Sequence, residues 1–411
     1  MKKRFHFYGK NSVLREEAVW GSWNLNVRPG GHGDIDHDYI MANARAIGKL
    51  HRKVRWMMLD DGYQRGYIER KKSGNAFWGI NRGIDLFNPS LASPHDPRRF
   101  PRGMRHVAAA IRQSGLKPAI WCTPLIHPAS PLARRHPDWL LQPPKGKLFM
   151  PEHAFLDYSI PEVRAYFLKA WETIFQDWGY EGLKLDFWTF LFELPGLNYR
   201  GKDKTAIELR NQFLSDIRGF ISSDGYLLTC CVTNAGNPFP GRFADASRNG
   251  PDIGSGFWND ALSAARWGGA ASMFYDDECL LPDADSFGWA PSLTEDENRA
   301  WAAFVLAASG MCEIGGDMTR LKPEARRMLR QALDFFRPCK RRTNPLFGFE
   351  NREMPASHWV LERAEGCNEV RINWLNYAAE INIAVPGRDR WSGETIHRGR
   401  RLLPKHRAII L

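Results

Sequence analysis

A lysine and an aspartate two positions apart are the residues whose types and spacing best suit chemistry. Residues 182–188 read Gly-Leu-Lys-Leu-Asp-Phe-Trp, which predicts a short buried strand ending on Asp186. Because side chains two apart on a strand share a face, Lys184 and Asp186 should project together. A nearby cation favours the ionised carboxylate, as a nucleophile requires. A helix cap or a structural ion pair would explain the same pattern.

Two adjacent aspartates, Asp60 and Asp61, follow another apolar run. Their oxygens suit a polyhydroxylated ligand, a divalent cation or a simple turn. A metal site would want histidines or further carboxylates at ligand spacing, and the sequence has no such recurring cluster. We therefore predict no metal and no cofactor.

A third strand end pairs an arginine with a carboxylate, Arg248 and Asp252, four residues apart. Carboxylates at the carboxyl ends of barrel strands face one mouth. Two of them, Asp186 and Asp252, would equip a retaining glycosidase. One attacks the anomeric carbon, while the other protonates the leaving oxygen and then activates water. Asp245 is the alternative acid, although its apolar neighbours indicate a structural cap.

Short apolar runs alternate with amphipathic stretches over most of the chain, which predicts an α/β fold. Eight strand–helix units in residues 1–344 match a (β/α)8 TIM barrel, the sixth strand being the weakest. An open doubly wound sheet is the alternative, but no Gly-x-Gly-x-x-Gly follows the first strand. Alternating patterns in residues 345–411 predict a small C-terminal antiparallel β-sandwich-like domain. The predicted strands are 19–24, 54–60, 117–123, 183–188, 226–232, 246–252, 272–276 and 311–315. The clearest of the predicted helices are 38–50, 104–114, 160–178, 205–221, 256–267, 294–309 and 323–335.

Composition and charge limit the classes of protein to which this chain can belong. The 411 residues include 16 Trp, which suits a large core or aromatic platforms for sugar rings. The formal charge of +11 is scattered rather than arranged in a basic stripe, so no nucleic-acid partner is predicted. Seven cysteines without a C-x-x-C motif indicate buried thiols. No apolar leader or run of 18 apolar residues occurs, so we expect a cytoplasmic location without membrane association.

Several motifs, in order, resemble glycoside hydrolase clan D, the α-galactosidase families 27 and 36, between about residues 20 and 321. Each motif alone is weak, whereas the ordered set is specific. They are Gly21-Ser22-Trp23-Asn24, Leu59-Asp60-Asp61-Gly62-Tyr63-Gln64, His136-Pro137-Asp138-Trp139, Phe155-Leu156-Asp157-Tyr158-Ser159, Lys184-Leu185-Asp186-Phe187 and Arg248-x-x-x-Asp252.

This resemblance implies a glycoside or oligosaccharide substrate and a role for each matching residue. Asp186 would be the nucleophile and Asp252 the acid/base. Asp60 and Asp61 would hold the 4- and 6-hydroxyls of the terminal sugar. Lys184 and Arg248 would line the −1 subsite, and Trp23 would form part of its wall. Trp121 and Asn234 are the other expected substrate contacts. Asn234 would replace a lost contact to the 2-hydroxyl.

The sequence also departs from the family pattern. Trp121-Cys122-Thr123-Pro124 stands where family 36 has W-x-E-P, and Pro151 stands where a sugar-contacting arginine is usual. We expect no counterpart of the large N-terminal β domain of family 36; the long loops Asp61–Arg102 and Pro124–Phe155, or a second subunit in a homo-oligomer, would take its place. We expect hydrolysis of terminal α-D-galactosides. The alternatives are another sugar (an α-N-acetylgalactosaminide, a β-L-arabinopyranoside or an α-glucan), a transglycosylase, or a silent carbohydrate-binding barrel.

Overall fold

A computed structural model describes most of the chain: residues 7–25, 28, 33–64, 94–126, 130–141, 154–194, 196–230, 239–253, 256–272, 277–343, 355 and 357–411. The chain folds as two compact units. The first comprises Asn26–Arg45 and Trp56–Thr233; the second comprises Met1–Leu25, Ala46–Arg55 and Asn234–Leu411. Among the described residues, no helix combines the length and the apolar character needed to cross a bilayer.

Among the described residues, strands alternate with helical segments up to the last helix, except that two short strands, Leu281–Asp283 and Ser286–Phe287, follow each other directly; an all-strand segment comes after the last helix. This order confirms the predicted class, α/β with a (β/α)8 barrel followed by a small antiparallel β domain. The boundary predicted at residue 344 lies outside the described residues and stays a prediction. The helices are α1 (His37–Ile47), α2 (Gly103–Gln113), α3 (Pro131–Arg135), α4 (Pro161–Glu172), α5 (Ala206–Arg218), α6 (Trp258–Ala271), α7 (Glu295–Ala308) and α8 (Pro323–Phe335).

The first unit holds a parallel sheet in the order β2-β3-β4-β5. Its strands are almost wholly buried apolar runs, as expected for a parallel sheet covered on both faces. Each bound lies within two residues of its predicted position, and residues 231–232, the predicted end of β5, lie outside the described residues. The strands are β2 (Val54–Leu59), β3 (Lys117–Cys122), β4 (Gly182–Asp186) and β5 (Tyr226–Cys230).

The second unit holds further parallel pairs, β6 with β7 and β1 with β9 and β8. The strand predicted at 272–276 is not described beyond Ser272, which caps the carboxyl end of α6. The strand beside β6 lies later, at Leu281–Asp283, and sequence analysis missed it. The bounds are β1 (Ala18–Gly21), β6 (Ala246–Arg248), β7 (Leu281–Asp283), β8 (Ser286–Phe287) and β9 (Glu313–Gly315).

Two helix starts follow the local signals in the sequence. The Thr294 side chain accepts from the Glu297 N–H, and the Glu297 side chain accepts from the Thr294 N–H, so α7 begins in a capping box. Pro161 occupies the first turn of α4. The predicted single helix over 160–178 instead changes to a π-helical turn at Thr173–Asp177.

The C-terminal strands form an antiparallel sheet in the order β10-β11-β12-β17 and two small pairs, β13 with β16 and β14 with β15. Ile383, Ile396, Leu403 and Ile409 form a buried cluster among these strands. The bounds are β10 (Arg341–Thr343), β11 (His358–Arg363), β12 (Gly366–Ile372), β13 (Ala379–Ile383), β14 (Gly387–Arg388), β15 (Thr395–Ile396), β16 (Gly399–Leu403) and β17 (Ala408–Ile410).

A buried carboxylate, Glu369 on β12, ties this segment together. One oxygen contacts Arg371 Nε at 2.6 Å and His358 Nε2 at 3.0 Å. The other accepts from the backbone N–H groups of Ala384 and Val385 at 2.9 and 2.6 Å. Burial alone would raise the pKa of Glu369, but these hydrogen bonds outweigh burial and lower it to about 2.

We predict that Glu369→Gln lowers the free energy of unfolding by about 3 kcal/mol near neutral pH, because it removes a buried charged acceptor. Since the folded pKa lies below the ordinary value, this stabilisation is present above about pH 4.5 and fades as pH falls toward 2. Urea titrations from pH 7 to pH 3 should therefore show the two proteins converging. Glu380→Gln, at an exposed strand position, is the control and should match wild type; a gap that stays constant with pH would contradict the argument.

Candidate active site

The register of three parallel strands puts three candidate residues in one row. Leu59 of β2 pairs with Ile120 of β3, and Ile120 pairs with Leu183 of β4. The residues that follow Leu59, Ile120 and Leu183 in the sequence are Asp60, Trp121 and Lys184, respectively. Residues paired in register on neighbouring strands present their side chains to the same face of a sheet, so the sheet itself assembles this row.

Within that row, Lys184 Nζ lies 2.8 Å from Asp60 Oδ2. The two side chains are only 5% and 3% exposed, so both charges have left water and depend on each other. The Asp61 N–H donates to the other Asp60 oxygen at 2.8 Å. Sequence analysis grouped Lys184 with Asp186; the structure adds this ion pair with Asp60.

Asp186 is the last residue of β4, two residues beyond Lys184, and its exposed fraction is 9%. Trp121 Nε1 donates to its Oδ2 at 3.1 Å, and the Phe187 N–H donates to its Oδ1 at 2.8 Å. Phe187 has φ 54°, a left-handed conformation that costs a bulky residue roughly 1–2 kcal/mol. The strained turn aims a backbone N–H at the carboxylate, and both oxygens are thereby oriented.

The turn after Asp60 and Asp61 depends on a glycine. Gly62 has φ 131°, and a Cβ there would lie 2.2 Å from the Gly33 carbonyl oxygen. No other residue fits this backbone without a shift. Asp61 is 1% exposed, so the turn carries both aspartates inward.

In the second unit, Arg248 at the end of β6 organises a cluster of carboxylates. Its Nη1 lies 2.8 Å from Asp252 Oδ1, its Nε 2.9 Å from Asp283 Oδ2 and its Nη2 2.9 Å from Asp285 Oδ1. Arg248, Asp283 and Asp285 are buried, whereas the Asp252 side chain is 56% exposed. The arginine therefore connects a buried carboxylate pair to one carboxylate that reaches solvent.

Asp283 and Asp285 were missed by sequence analysis. Asp283 pairs in register with Arg248, and Asp285 accepts from the Ile253 N–H at 2.6 Å, next to Asp252. The spacing Asp-x-Asp after a short apolar run was the available signal, since it repeats the two-residue period of a strand face. Asn24 adds a hydrogen bond of 2.8 Å from Nδ2 to Asp285 Oδ1.

The structure thus groups the predicted residues by unit. Asp60, Asp61, Trp121, Lys184 and Asp186 lie together in the first. In the second, Arg248 contacts Asp252, and the half-buried Trp23 follows β1. Asn234 lies outside the described residues.

A cysteine, Cys122, follows Trp121 at the end of β3. Burial raises the pKa of the Cys122 thiol to about 12, so this cysteine stays protonated. The described residues include no group of three or more His, Cys, Asp or Glu that could hold a metal ion.

Comparison with known proteins gives the family context. The Melibiase family model matches residues 89–212. An α-galactosidase of Escherichia coli is 27% identical over 172 residues, which are 41% of this chain and 22% of that protein. α-Galactosidase 1 of Pediococcus pentosaceus is 42% identical over 152 residues, 35% of this chain and 18% of that protein. The matched region therefore spans about a fifth of each relative's length.

Solved structures extend the similarity to nearly the whole chain. A family 27 β-L-arabinopyranosidase from Geobacillus stearothermophilus has a TM-score of 0.68 at 15% identity, covering 98% of this chain and 97% of its own. A family 36 α-galactosidase from the same organism has a TM-score of 0.65 at 16% identity, covering 97% of this chain and 55% of its own. Part of the chain is thus similar in sequence to α-galactosidases, and nearly the whole chain shares the fold of these family 27 and family 36 enzymes, as its motifs predicted.

We predict that Lys184→Met lowers the free energy of unfolding by about 3–5 kcal/mol, because it leaves the buried Asp60 charge without its cation. Adding Asp60→Asn should restore a large part of that loss, since the uncompensated charge disappears. Urea unfolding of the single and double variants measures both effects.

Lys169→Met provides the matched control, because the Lys169–Glu172 pair is a solvent-exposed one at 2.7 Å. Its unfolding midpoint should remain close to that of wild type. A Lys184→Met protein as stable as the control would show that the buried pair does not hold the row together.

Proposed function

We propose that this chain is a retaining α-glycosidase that hydrolyses terminal α-D-galactosidic bonds. The observation that carries the proposal is the setting of Asp186: a buried carboxylate at the carboxyl end of a barrel strand, fixed by Trp121 Nε1 and the Phe187 N–H. Two N–H donors favour its ionised form, and catalytic groups of this fold occupy such strand ends. The α-galactosidase relatives supply the substrate class.

The proposed reaction uses two displacements. Asp186 attacks the anomeric carbon, the glycosidic bond breaks, and Asp252 gives its proton to the departing oxygen. A β-linked glycosyl ester of Asp186 results. Asp252 then takes a proton from water, the water oxygen attacks the anomeric carbon, and the ester bond breaks to free both the sugar and Asp186. Two carboxylates are sufficient, so no cofactor takes part.

The remaining residues are assigned to binding and positioning. Asp60 and Asp61 would accept hydrogen bonds from sugar hydroxyls, with Lys184 holding the Asp60 carboxylate in place. Arg248 would position Asp252 and is itself fixed by its two buried partners. Trp23, Trp121 and Asn234 complete the proposed substrate contacts.

A β-L-arabinopyranoside is a second candidate substrate for the same assay. The β-L-arabinopyranosidase aligns with the chain over almost the full length of both proteins. A β-L-arabinopyranoside has the ring configuration of an α-D-galactoside without the hydroxymethyl group. The ratio of turnover rates on these two p-nitrophenyl glycosides therefore reports whether the pocket has space for the hydroxymethyl group. The p-nitrophenyl α-N-acetylgalactosaminide and α-glucoside are assayed in the same panel.

We predict that Asp186→Ala reduces kcat on p-nitrophenyl α-galactoside at least about 10³-fold, because it removes the nucleophile. Asp252→Ala should retain much more activity on this substrate, since p-nitrophenolate leaves without protonation, and should lose it on a disaccharide. Asp224→Ala, an exposed turn position, is the control and should match wild type.

Azide distinguishes the two roles by the anomer of the product. In Asp186→Ala, azide takes the place of the missing carboxylate and gives the β-galactosyl azide. In Asp252→Ala, azide attacks the β-linked glycosyl-enzyme and gives the α-galactosyl azide. Exchanged anomers would reverse the assignment, and a fully active Asp186→Ala protein would exclude the mechanism.

A further inference from the structure

One aspartate of the second unit has an unusual backbone conformation. Asp285 is the residue before β8, its side chain is 1% exposed, and its φ is 72°. Residues other than glycine adopt this left-handed conformation infrequently, although aspartate and asparagine tolerate it better than most. Such a residue persists where its surroundings impose the conformation, and such positions cluster at functional sites. The conformation of Asp285 therefore points to a task for its side chain.

Both oxygens of the Asp285 carboxylate are engaged. Oδ1 lies 2.9 Å from Arg248 Nη2 and accepts from Asn24 Nδ2 at 2.8 Å. Oδ2 accepts from the Ile253 N–H at 2.6 Å. One buried carboxylate therefore ties the guanidinium of Arg248 to the backbone at Ile253.

These two ties meet at Asp252, the proposed acid/base. Arg248 Nη1 lies 2.8 Å from Asp252 Oδ1, and Ile253 is the next residue along the chain. Asp252 lies in a segment without regular secondary structure, and its side chain is 56% exposed, so neither a strand ladder nor close packing fixes it. Asp285 restrains it from both sides, through its side-chain partner and through its backbone.

We propose that Asp285 is a positioning residue for the acid/base. It holds Asp252 in one place through Arg248 and through the Ile253 N–H, and it does not itself touch the substrate. The inference rests on the glycosidase function proposed above, in which Asp252 protonates the leaving oxygen and then activates water. Proton transfer requires the two heavy atoms to lie within about 2.6–3.2 Å of each other, so a small displacement of Asp252 weakens both steps.

The variant Asp285→Asn changes the hydrogen bonds of this residue without changing its size. Asparagine has the shape of aspartate and also tolerates a left-handed φ. Its amide, however, has one oxygen where the carboxylate has two. The NH2 group must then face either Arg248 and Asn24 or the Ile253 N–H, and a donor that faces a donor breaks one of the two ties.

Two substrates with unlike leaving groups measure the effect. Formation of the glycosyl-enzyme determines kcat/KM, and p-nitrophenolate leaves without a proton, whereas the leaving sugar of melibiose needs one. We expect Asp285→Asn to lower kcat/KM on melibiose at least about 30-fold and to stay within about threefold of wild type on p-nitrophenyl α-galactoside. A loss of active protein or a general loosening of the site would lower both values together.

The second step of the reaction gives an independent readout on p-nitrophenyl α-galactoside. Attack by water also needs Asp252, so the glycosyl-enzyme of Asp285→Asn should accumulate, and kcat and KM should fall together at least about fivefold. Azide needs no general base, so it should restore kcat.

Asp277→Asn is the matched control, because it disrupts another buried aspartate–arginine pair of the same unit. Asp277 Oδ1 lies 2.7 Å from Arg342 Nη1, and neither side chain is more than 10% exposed. This variant should lose stability in urea, whereas the ratio of its two kcat/KM values should equal that of wild type. Should Asp285→Asn not fold, Asn24→Ala removes one donor to Asp285, leaves every charge in place, and should lower the melibiose value selectively by about three- to tenfold.

The outcomes separate this inference from the proposed function. An Asp285→Asn protein whose two kcat/KM values keep the wild-type ratio would overturn the inference and leave the proposed function standing, and the same holds for Asn24→Ala where it replaces that variant. A wild-type protein that hydrolyses neither substrate, or an Asp252→Ala protein that loses activity equally on both, would overturn the proposed function and this inference with it.

Discussion

The buried ion pair between Lys184 and Asp60 is the constraint on which the first unit depends. Two charges withdrawn from water tolerate little displacement, because each becomes an uncompensated buried charge if the other moves away. The pair joins β4 to the end of β2 across β3, so it fixes the register of three strands. A slip of one residue would turn Lys184 to the opposite face. The position of Asp186, two residues further along β4, follows from the same register.

Local patterns in the sequence revealed the strand ends but not their partners. The apolar run before Asp186 and the Asp-Asp-Gly turn are contiguous in sequence, so their positions could be predicted. The partner of Lys184 is 124 residues away, and only the register of the strands brings it near. Phe187 was equally unpredictable, since a left-handed φ at a phenylalanine opposes its intrinsic preference and persists because the surrounding structure imposes it.

In the second unit, too, local sequence patterns did not reveal the partners of a predicted site residue, although those partners are closer in sequence. β7 has three residues with a proline in the middle, too short to give a periodic signal. Its Asp283 nevertheless pairs with Arg248 and, with Asp285, holds the guanidinium on two sides. The Arg248–Asp252 spacing was readable in the sequence, whereas the groups that fix Arg248 were not. Much of the positioning therefore comes from residues without a recognisable motif.

The two proposed catalytic carboxylates have unlike surroundings, and the difference matches their roles. Asp186 is buried and held by two neutral N–H donors, which suits a group that must attack one carbon along one line. Asp252 is more than half exposed and is contacted by an arginine shared with two other carboxylates. A group that first meets a leaving oxygen and then a water molecule needs access to solvent, which a buried position would deny.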